Sequence, residues 1–421
     1  MPTVDAGDVA TSIYEPRHAC PSMVDRIDTC DVLVVGAGAS GLWSAAELAP
    51  DHDVLVVDAG EVGAGASGDA AGFVTAFSDW APSPDAVAHS IAAFRALDGR
   101  HGFTFYERPY VELARTAAEG AALRETYDPL FERPGYDVEY LDAAELSARW
   151  PGRFDLDGVD GGLVKHESGI VAAEAYLHAL ASTARECGVR LRTNTTVESV
   201  VVEDGSVVGA ETPDGRVDAD VVVCTAGAGT GPLVEWVDLP VRRFVYSNLR
   251  VEADAPLDDA YPMVYADDVW WRPEPGRPRT FLVSGGTYFL APDDGPPRDP
   301  PAAYRREVRT VLEGLAADVE TATAVPGSYQ PCTTGCVTTP DGLPVLDAPA
   351  AAPDGLVVAT AVTGGISVSP FTGAAVRSLV TGADPPVPLA PFAADRFDEP
   401  PADFRVDGIR EPLSGANPDS E

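Results

Sequence analysis

Positive charge is scarce in this chain. Lys165 is its only lysine, and Lys plus Arg reach 29 against 66 Asp and Glu, a net charge of −37. Nothing basic is clustered, so nucleic acid is excluded as an expected partner. The acids are dispersed and not gathered in a tail. Such a surface stays soluble where concentrated salt screens repulsion, which points to a halophilic chain in a salt-rich cytoplasm. Long apolar runs are missing as well. No stretch approaches the roughly 20 residues that cross a bilayer, so no integral membrane segment is expected. The first residues hold no basic region followed by an apolar one. No secretory signal is therefore expected, and the expected location is cytoplasmic. Histidine and cysteine number six each. No histidine sits in a recognisable base motif. Cys332 and Cys336 form a close pair without zinc-ribbon spacing or an accompanying His, so no metal site and free thiols are expected.

What is present starts at Asp31. A β-branched run, Val32 to Val35, ends in Gly36-Ala37-Gly38-Ala39-Ser40-Gly41. Leu42 to Ala49 then reads as a helix, and Asp53 to Val57 as a second strand closed by Asp58 and Ala59. Gly36 allows a tight turn, Gly38 lets backbone approach a pyrophosphate, and Gly41 lets helix pack close to strand. The helix start offers unpaired N–H groups and partial positive charge to phosphates. Asp58 stands 22 residues past Gly36, where an acid accepts both ribose hydroxyls of an adenine dinucleotide. A plain glycine turn in an ordinary βα unit is the competing reading. Next comes Gly63 to Phe73, with nothing larger than Asp before Phe73. Small residues let backbone lie against a flat ligand; the alternative is a flexible surface loop.

At 421 residues the chain can build a large core, and two domains are expected. Helices are read at 85–98, 172–187, 301–318 and 372–380. Asp204-Gly205 and Asp214-Gly215 read as hairpin turns. The strand Asp220 to Thr225 ends in Ala226-Gly227-Ala228-Gly229, small enough to lie under the same dinucleotide. From Pro240 to about Val325 aromatics and proline rise, as in an antiparallel sheet. The expected fold class is α/β, with a Rossmann-like domain (30–84, 152–239 and 326–385) and an inserted antiparallel-sheet substrate domain of α+β type (85–151 and 240–325). An N-terminal extension (1–29) and a C-terminal tail (386–421) flank them.

The order of these pieces resembles the FAD-dependent D-amino-acid oxidase superfamily. The resemblance rests on Val34 to Gly41 with Val56-Val57-Asp58 and Ala66 to Gly72. It continues through Gly188-Val189, Thr196-Val197 and Ala226-Gly227-Ala228, then Thr339 to Val345 with Thr363-Gly364-Gly365-Ile366 and Gly373. It implies that Gly36, Gly38 and Gly41, with Ser40 between them, meet the FAD pyrophosphate, and that Asp58 and Ala59 meet the ribose. It places Ala66, Ser67, Ala71, Gly72 and Phe73 along the flavin and Val197 at the adenine. Gly227 lies beneath the dinucleotide. Thr363, Gly364, Gly365, Ile366 and Ser367 come to the pyrimidine edge, where backbone N–H groups stabilise the charge of reduced flavin.

The chain departs from the family where a substrate carboxylate is bound. Positions that carry Arg or Lys in members fall here on Cys336, Thr363 and Ser367. The flavin-linking Cys of some members falls on Thr334, so FAD is expected to be non-covalent. The lysine that helps oxygen react with flavin has no counterpart. One of the pair Arg242-Arg243, with Arg243 preferred, and Arg272 are the remaining candidates for a carboxylate clamp, each against the alternative of an ordinary ion pair or solvated strand residue. Phe77 falls where a substrate-loop Tyr stands in one member, with core packing as its alternative. The resemblance thus implies a flavin enzyme that takes hydride from the carbon of a small amino acid or N-alkyl amino acid. Electrons would pass to oxygen or another carrier. Oxidation of a 2-hydroxy acid, or an FAD-binding protein without a working substrate site, are the alternatives. The oligomeric state is left open.

Overall fold

The computed structural model describes residues 26–76, 83–131, 136–291, 294–360, 364–397 and 401–411. An eight-stranded sheet organises the first half of the fold. Its centre is Arg26–Val35, parallel to Val54–Val57 on one side and to Gly215–Cys224 on the other. Leu356–Thr360 extends the parallel set beyond Gly215–Cys224. Val32 and Val34 point into one apolar core and Leu33 and Val35 into another, so the strand is buried on both faces. That double burial is why its sequence is continuously apolar and not alternating. Helices Ala39–Leu48, Ala173–Glu186 and Gly365–Thr381 contribute to the first of these cores.

A nine-stranded sheet forms the second half. Its long strands Arg242–Glu252 and Arg277–Phe289 run antiparallel. Val269–Glu274 and Met263–Ala266 follow, and Met263–Ala266 pairs parallel with Tyr110–Ala114, so the sheet is mixed and not purely antiparallel. Helix Ala302–Leu315 lays Tyr304, Val308, Val311, Leu312 and Leu315 on one face of the sheet, a helical stripe that buries a core. The opposite face turns toward the first half. A small sheet joins Phe73–Val74, Gly169–Ile170 and Tyr106–Glu107.

Several boundaries differ from those expected. Strands Gly161–Lys165, Gln330–Pro331 and Cys336–Thr338 belong to the second sheet, because their backbone partners lie there. Helix Pro84–Leu97 buries Val87, Ile91 and Phe94 in the first core. The last helix begins at Gly365, not near Thr372, and Pro370 sits within it. The segment expected to be a tail is packed in its described part. Phe404 is buried with Phe244 and Phe289. No described helix is long and apolar enough to cross a membrane.

Candidate active site

The site begins where the first strand stops. Gly36 takes φ +114°, and a Cβ there would lie 2.6 Å from the Thr225 carbonyl oxygen. The helix that follows starts at Ala39 and is capped by extended Gly38, with no side-chain cap. The N–H of Ala39 donates to the Ser67 hydroxyl at 3.1 Å. Other amides of this helix start are left for a ligand. Asp58 lies across the turn: one carboxylate oxygen accepts from the Ala37 N–H at 2.6 Å, the other from the Gly60 N–H at 2.7 Å.

From this cradle a cavity of about 1200 Å³ runs past the small-residue loop to the second sheet. Gly72 has φ +73°, and a Cβ would sit 1.9 Å from the Val171 carbonyl, so only glycine fits. Asp69 anchors the loop to the other half of the protein. Its carboxylate accepts from the Thr333 N–H (2.7 Å), the Thr333 hydroxyl (2.6 Å) and the Gln330 amide (3.1 Å). Its backbone carbonyl accepts from Asn248 at 2.8 Å. Gly364, in the left-handed region at φ +71°, caps the last helix, and Gly364, Gly365 and Ile366 line the cavity.

The far wall comes from the second sheet. Ser284, Trp270, Tyr265 and Glu112 are successive cross-strand partners, so they share one face. All four line the cavity, with Tyr110, Phe244 and Tyr246 beside them. The Tyr265 and Trp270 rings lie 4.5 Å apart, and the Trp270 indole N–H donates to the Tyr110 hydroxyl at 3.1 Å. Burial pushes the pKa values of Tyr110, Tyr246 and Tyr265 upward, so these hydroxyls keep their protons. Lys165 lies behind this wall. Its ammonium reaches Glu112 Oε2 at 3.3 Å, the Tyr127 hydroxyl at 2.7 Å and the Ala76 carbonyl at 2.7 Å. Burial lowers its pKa, opposed by the Glu112 charge.

Most of the residues expected at the cofactor do line this one cavity: Gly36, Gly38, Ser40, Asp58, Ala59, Ala66, Ser67, Ala71, Gly72, Phe73, Val197, Gly227, Gly364, Gly365 and Ile366. Gly41 lies beneath the turn instead, since a Cβ would be 1.9 Å from the Gly36 carbonyl. Ser367 is buried behind the lining, where its hydroxyl donates to the Phe73 carbonyl at 3.0 Å. Thr363 and Phe77 fall outside the described residues.

The two arginines do not line the cavity. Phe244 and Tyr246 line the cavity and Arg243 does not; its guanidinium donates to the carbonyl of Thr334, which is itself part of the lining, at 3.3 Å. Arg272 shares a face with Trp270 but is spent on backbone, donating to the Ala71 carbonyl at 2.8 Å and the Pro273 carbonyl at 3.0 Å. Burial lowers its pKa to about 10. Among the described residues that line the cavity, none is Arg, Lys or His.

Sequence reasoning missed Glu112 and Tyr110. Their period-two spacing on a short strand was the available signal, but nothing local showed what that strand faces. It also missed Val406, Asp407, Gly408 and Ile409, which line the cavity from the presumed tail.

A strand, glycine turn and helix with an acid across the turn, opening on one elongated cavity, define a protein that binds an adenine dinucleotide in extended form. The glycine cradle, with no room for a Cβ, and the acid beside it fit that group. Comparison with known proteins narrows the class. The family model for FAD dependent oxidoreductases (DAO) matches residues 31–379. The chain belongs to this family, and its cofactor is FAD. It is similar to glycine oxidase of Geobacillus kaustophilus, 27% identical over 379 residues, covering 87% of this chain and 97% of the relative. The crystal structure of that species' glycine oxidase superposes with a TM-score of 0.76 at 26% identity, over 88% of this chain and all of that one. A 4-methylaminobutanoate oxidase (formaldehyde-forming) of Paenarthrobacter nicotinovorans is 28% identical over 254 residues; these cover 58% of this chain but only 30% of that relative's length.

Proposed function

We propose that this FAD-dependent oxidoreductase oxidises the C–N bond of a small amino acid or N-alkyl amino acid. The observation that carries the reading is the single cavity that joins the dinucleotide cradle to the aromatic wall. The names of the relatives support it: glycine oxidase, 4-methylaminobutanoate oxidase, and an N-methyl-L-tryptophan oxidase of Citrobacter koseri, 24% identical over 390 residues. Bound FAD supplies the hydride acceptor. The chain's own part is to orient the substrate and to set the electrostatics. Tyr110, Tyr246, Tyr265 and Trp270 exclude water from the reacting carbon. The start of the helix Gly365–Thr381 offers amide dipoles to negative charge at the cavity edge. Thr334, which forms no thioether, supports a non-covalent cofactor. Lys165, the only ammonium, sits behind Glu112 and outside the lining, which supports an electron acceptor other than oxygen. The net charge of −37 supports work in a salt-rich cytoplasm.

The cationless lining favours one rival, a flavoprotein that has lost its substrate site. Anaerobic stopped-flow mixing of FAD-loaded protein with amino acids, N-methyl amino acids and 2-hydroxy acids separates the readings. Amines alone are expected to bleach the flavin band. Bleaching by hydroxy acids alone would move the chemistry to a C–O bond, and bleaching by none would support the rival.

A further inference from the structure

The family match ends at residue 379, yet four residues beyond it, Val406, Asp407, Gly408 and Ile409, line the cavity. They form a tight turn: the Ile409 N–H donates to the Val406 carbonyl at 3.1 Å, and Gly408 takes φ +77°. Both legs of the turn are fastened to the second sheet. On one side Phe404 is buried with Phe244 and Phe289, its ring edge-on to Phe289 at 6.2 Å. The Arg242 guanidinium donates to the Phe404 carbonyl and lies 3.6 Å from the centre of the Phe289 ring. On the other side Arg410 pairs with strand Arg277–Phe289 beyond Gly285, where that strand's pairing with Val269–Glu274 ends. The Arg410 N–H donates to the Thr287 carbonyl at 3.1 Å, and its carbonyl accepts from the Phe289 N–H at 2.8 Å. Its guanidinium pairs with Glu307 and Asp268. The same strand carries Ser284 of the aromatic wall, so the turn is joined to that wall and not to the dinucleotide cradle. Asp407 and Gly408 at the tip are exposed, whereas Val406 and Ile409 are half-buried. These two side chains are β-branched and have few rotamers, so the turn presents a stiff apolar surface. A surface pinned on both sides does not give way, and a ligand that overfills the space beside it is opposed by overpacking.

We propose that the turn Val406–Ile409 is a specificity wall of the active site, which limits the length of the substrate's side chain and admits amino acids with short apolar side chains. The inference rests on the amine-oxidising reading above and narrows its substrate class. Selection is by shape: Val406, Ile409 and Phe244 offer apolar contact to a few carbon atoms, and a longer or bulkier group meets a wall that cannot move aside. Val406 and Ile409 act as specificity residues and take no part in the chemical step.

The test uses FAD-loaded protein and probes that bind without reacting. α-Aminoisobutyrate, α-methylleucine and α-methylphenylalanine carry no hydrogen on the α-carbon, so no hydride can leave it. Each is titrated against the visible flavin band in wild type, in a chain lacking residues 401–421, and in the double variant Val406→Ala/Ile409→Ala. The double variant keeps Phe404 and Arg410, so both legs of the turn stay fastened. Retained FAD and a cooperative melt show that a variant is folded; if the truncated chain fails this check, the double variant alone decides. Wild type is expected to bind α-aminoisobutyrate about tenfold or more tightly than α-methylphenylalanine. Truncation is expected to bring the two within about threefold, with the double variant between. The same ratio in wild type and in every folded variant overturns the wall. So does a wild type that takes the bulky probe as readily as the small one, or that responds to none. The two readings fail separately. Size-graded binding that depends on the turn, with no amino acid reducing the flavin, sinks the activity and leaves the wall. Reduction by glycine, leucine and phenylalanine with one concentration dependence in wild type and variants sinks the wall and leaves the activity.

Discussion

Gly41→Ala is the sharpest perturbation of the cradle. The added Cβ would stand 1.9 Å from the Gly36 carbonyl oxygen and 2.6 Å from the Thr225 hydroxyl. Ordinary contact starts near 3.4 Å, so the helix Ala39–Leu48 must move about 1.5 Å from the strand it follows. Neither obstacle can swing aside. The carbonyl is backbone, and the Thr225 hydroxyl donates to the Val35 carbonyl at 2.8 Å. Overpacking of this kind costs about 1–3 kcal/mol. Loss of the Thr225 hydrogen bond adds roughly 1 kcal/mol, for a total of about 2–4 kcal/mol. For a chain of 421 residues, with an unfolding entropy of about 2.1 cal/mol/K per residue, that corresponds to a fall in Tm of about 2–5 °C. The same displacement carries the helix amides off the pyrophosphate, and FAD affinity is expected to fall about tenfold or more. Thermal melting of the cofactor-free protein reads the first effect, and fluorescence quenching of added FAD the second. A variant with wild-type Tm and wild-type FAD affinity would refute the close helix-to-strand contact.

Asp58→Ala removes the acceptor of the Ala37 and Gly60 amides and, on the reading proposed for the cradle, the ribose partner as well. FAD affinity is expected to drop roughly 10- to 100-fold with little loss of secondary structure, measured by the same quenching titration. Acid stability follows from Asp28 and Asp341. Burial alone would raise their pKa values, but Arg190 and Arg192 around Asp28, and Arg396 on Asp341, outweigh it and hold both below 3.8. A depressed folded pKa stabilises above the unfolded value and is lost as pH falls through the folded one. Tm is thus expected to decline as pH drops below about 4, and Asp341→Asn to shallow that decline in melts at fixed salt. An unaltered acid limb would contradict the role of the Arg396 pair.

The cofactor half was legible because its chemistry is local. A turn that admits no Cβ must be written as glycine, and a strand buried on both faces as continuous Val and Leu. Asp58 and the loop 63–73 follow at short range and line the same cavity. The substrate half was not legible. Glu112 and Tyr110 reach Tyr265 and Trp270 only through pairing of strands some 150 residues apart, and pairing leaves no local mark. Arg243 sits beside the lining, but its guanidinium is taken up by the Thr334 carbonyl. Arg272 faced the right way, but its guanidinium was already engaged by the Ala71 carbonyl, a backbone atom that residue types do not reveal. The described part of the expected tail, rich in Pro and Asp, reaches the cavity through Val406 and Ile409, apolar residues too sparse to show a period.

The central claim is that segments around residues 36, 70, 197 and 365 enclose one flavin. Titration of purified protein with FAD at high salt, followed in the visible band, tests it most directly. The account predicts a yellow protein that saturates at one FAD per chain. A protein that stays colourless after incubation and removal of free FAD would contradict it.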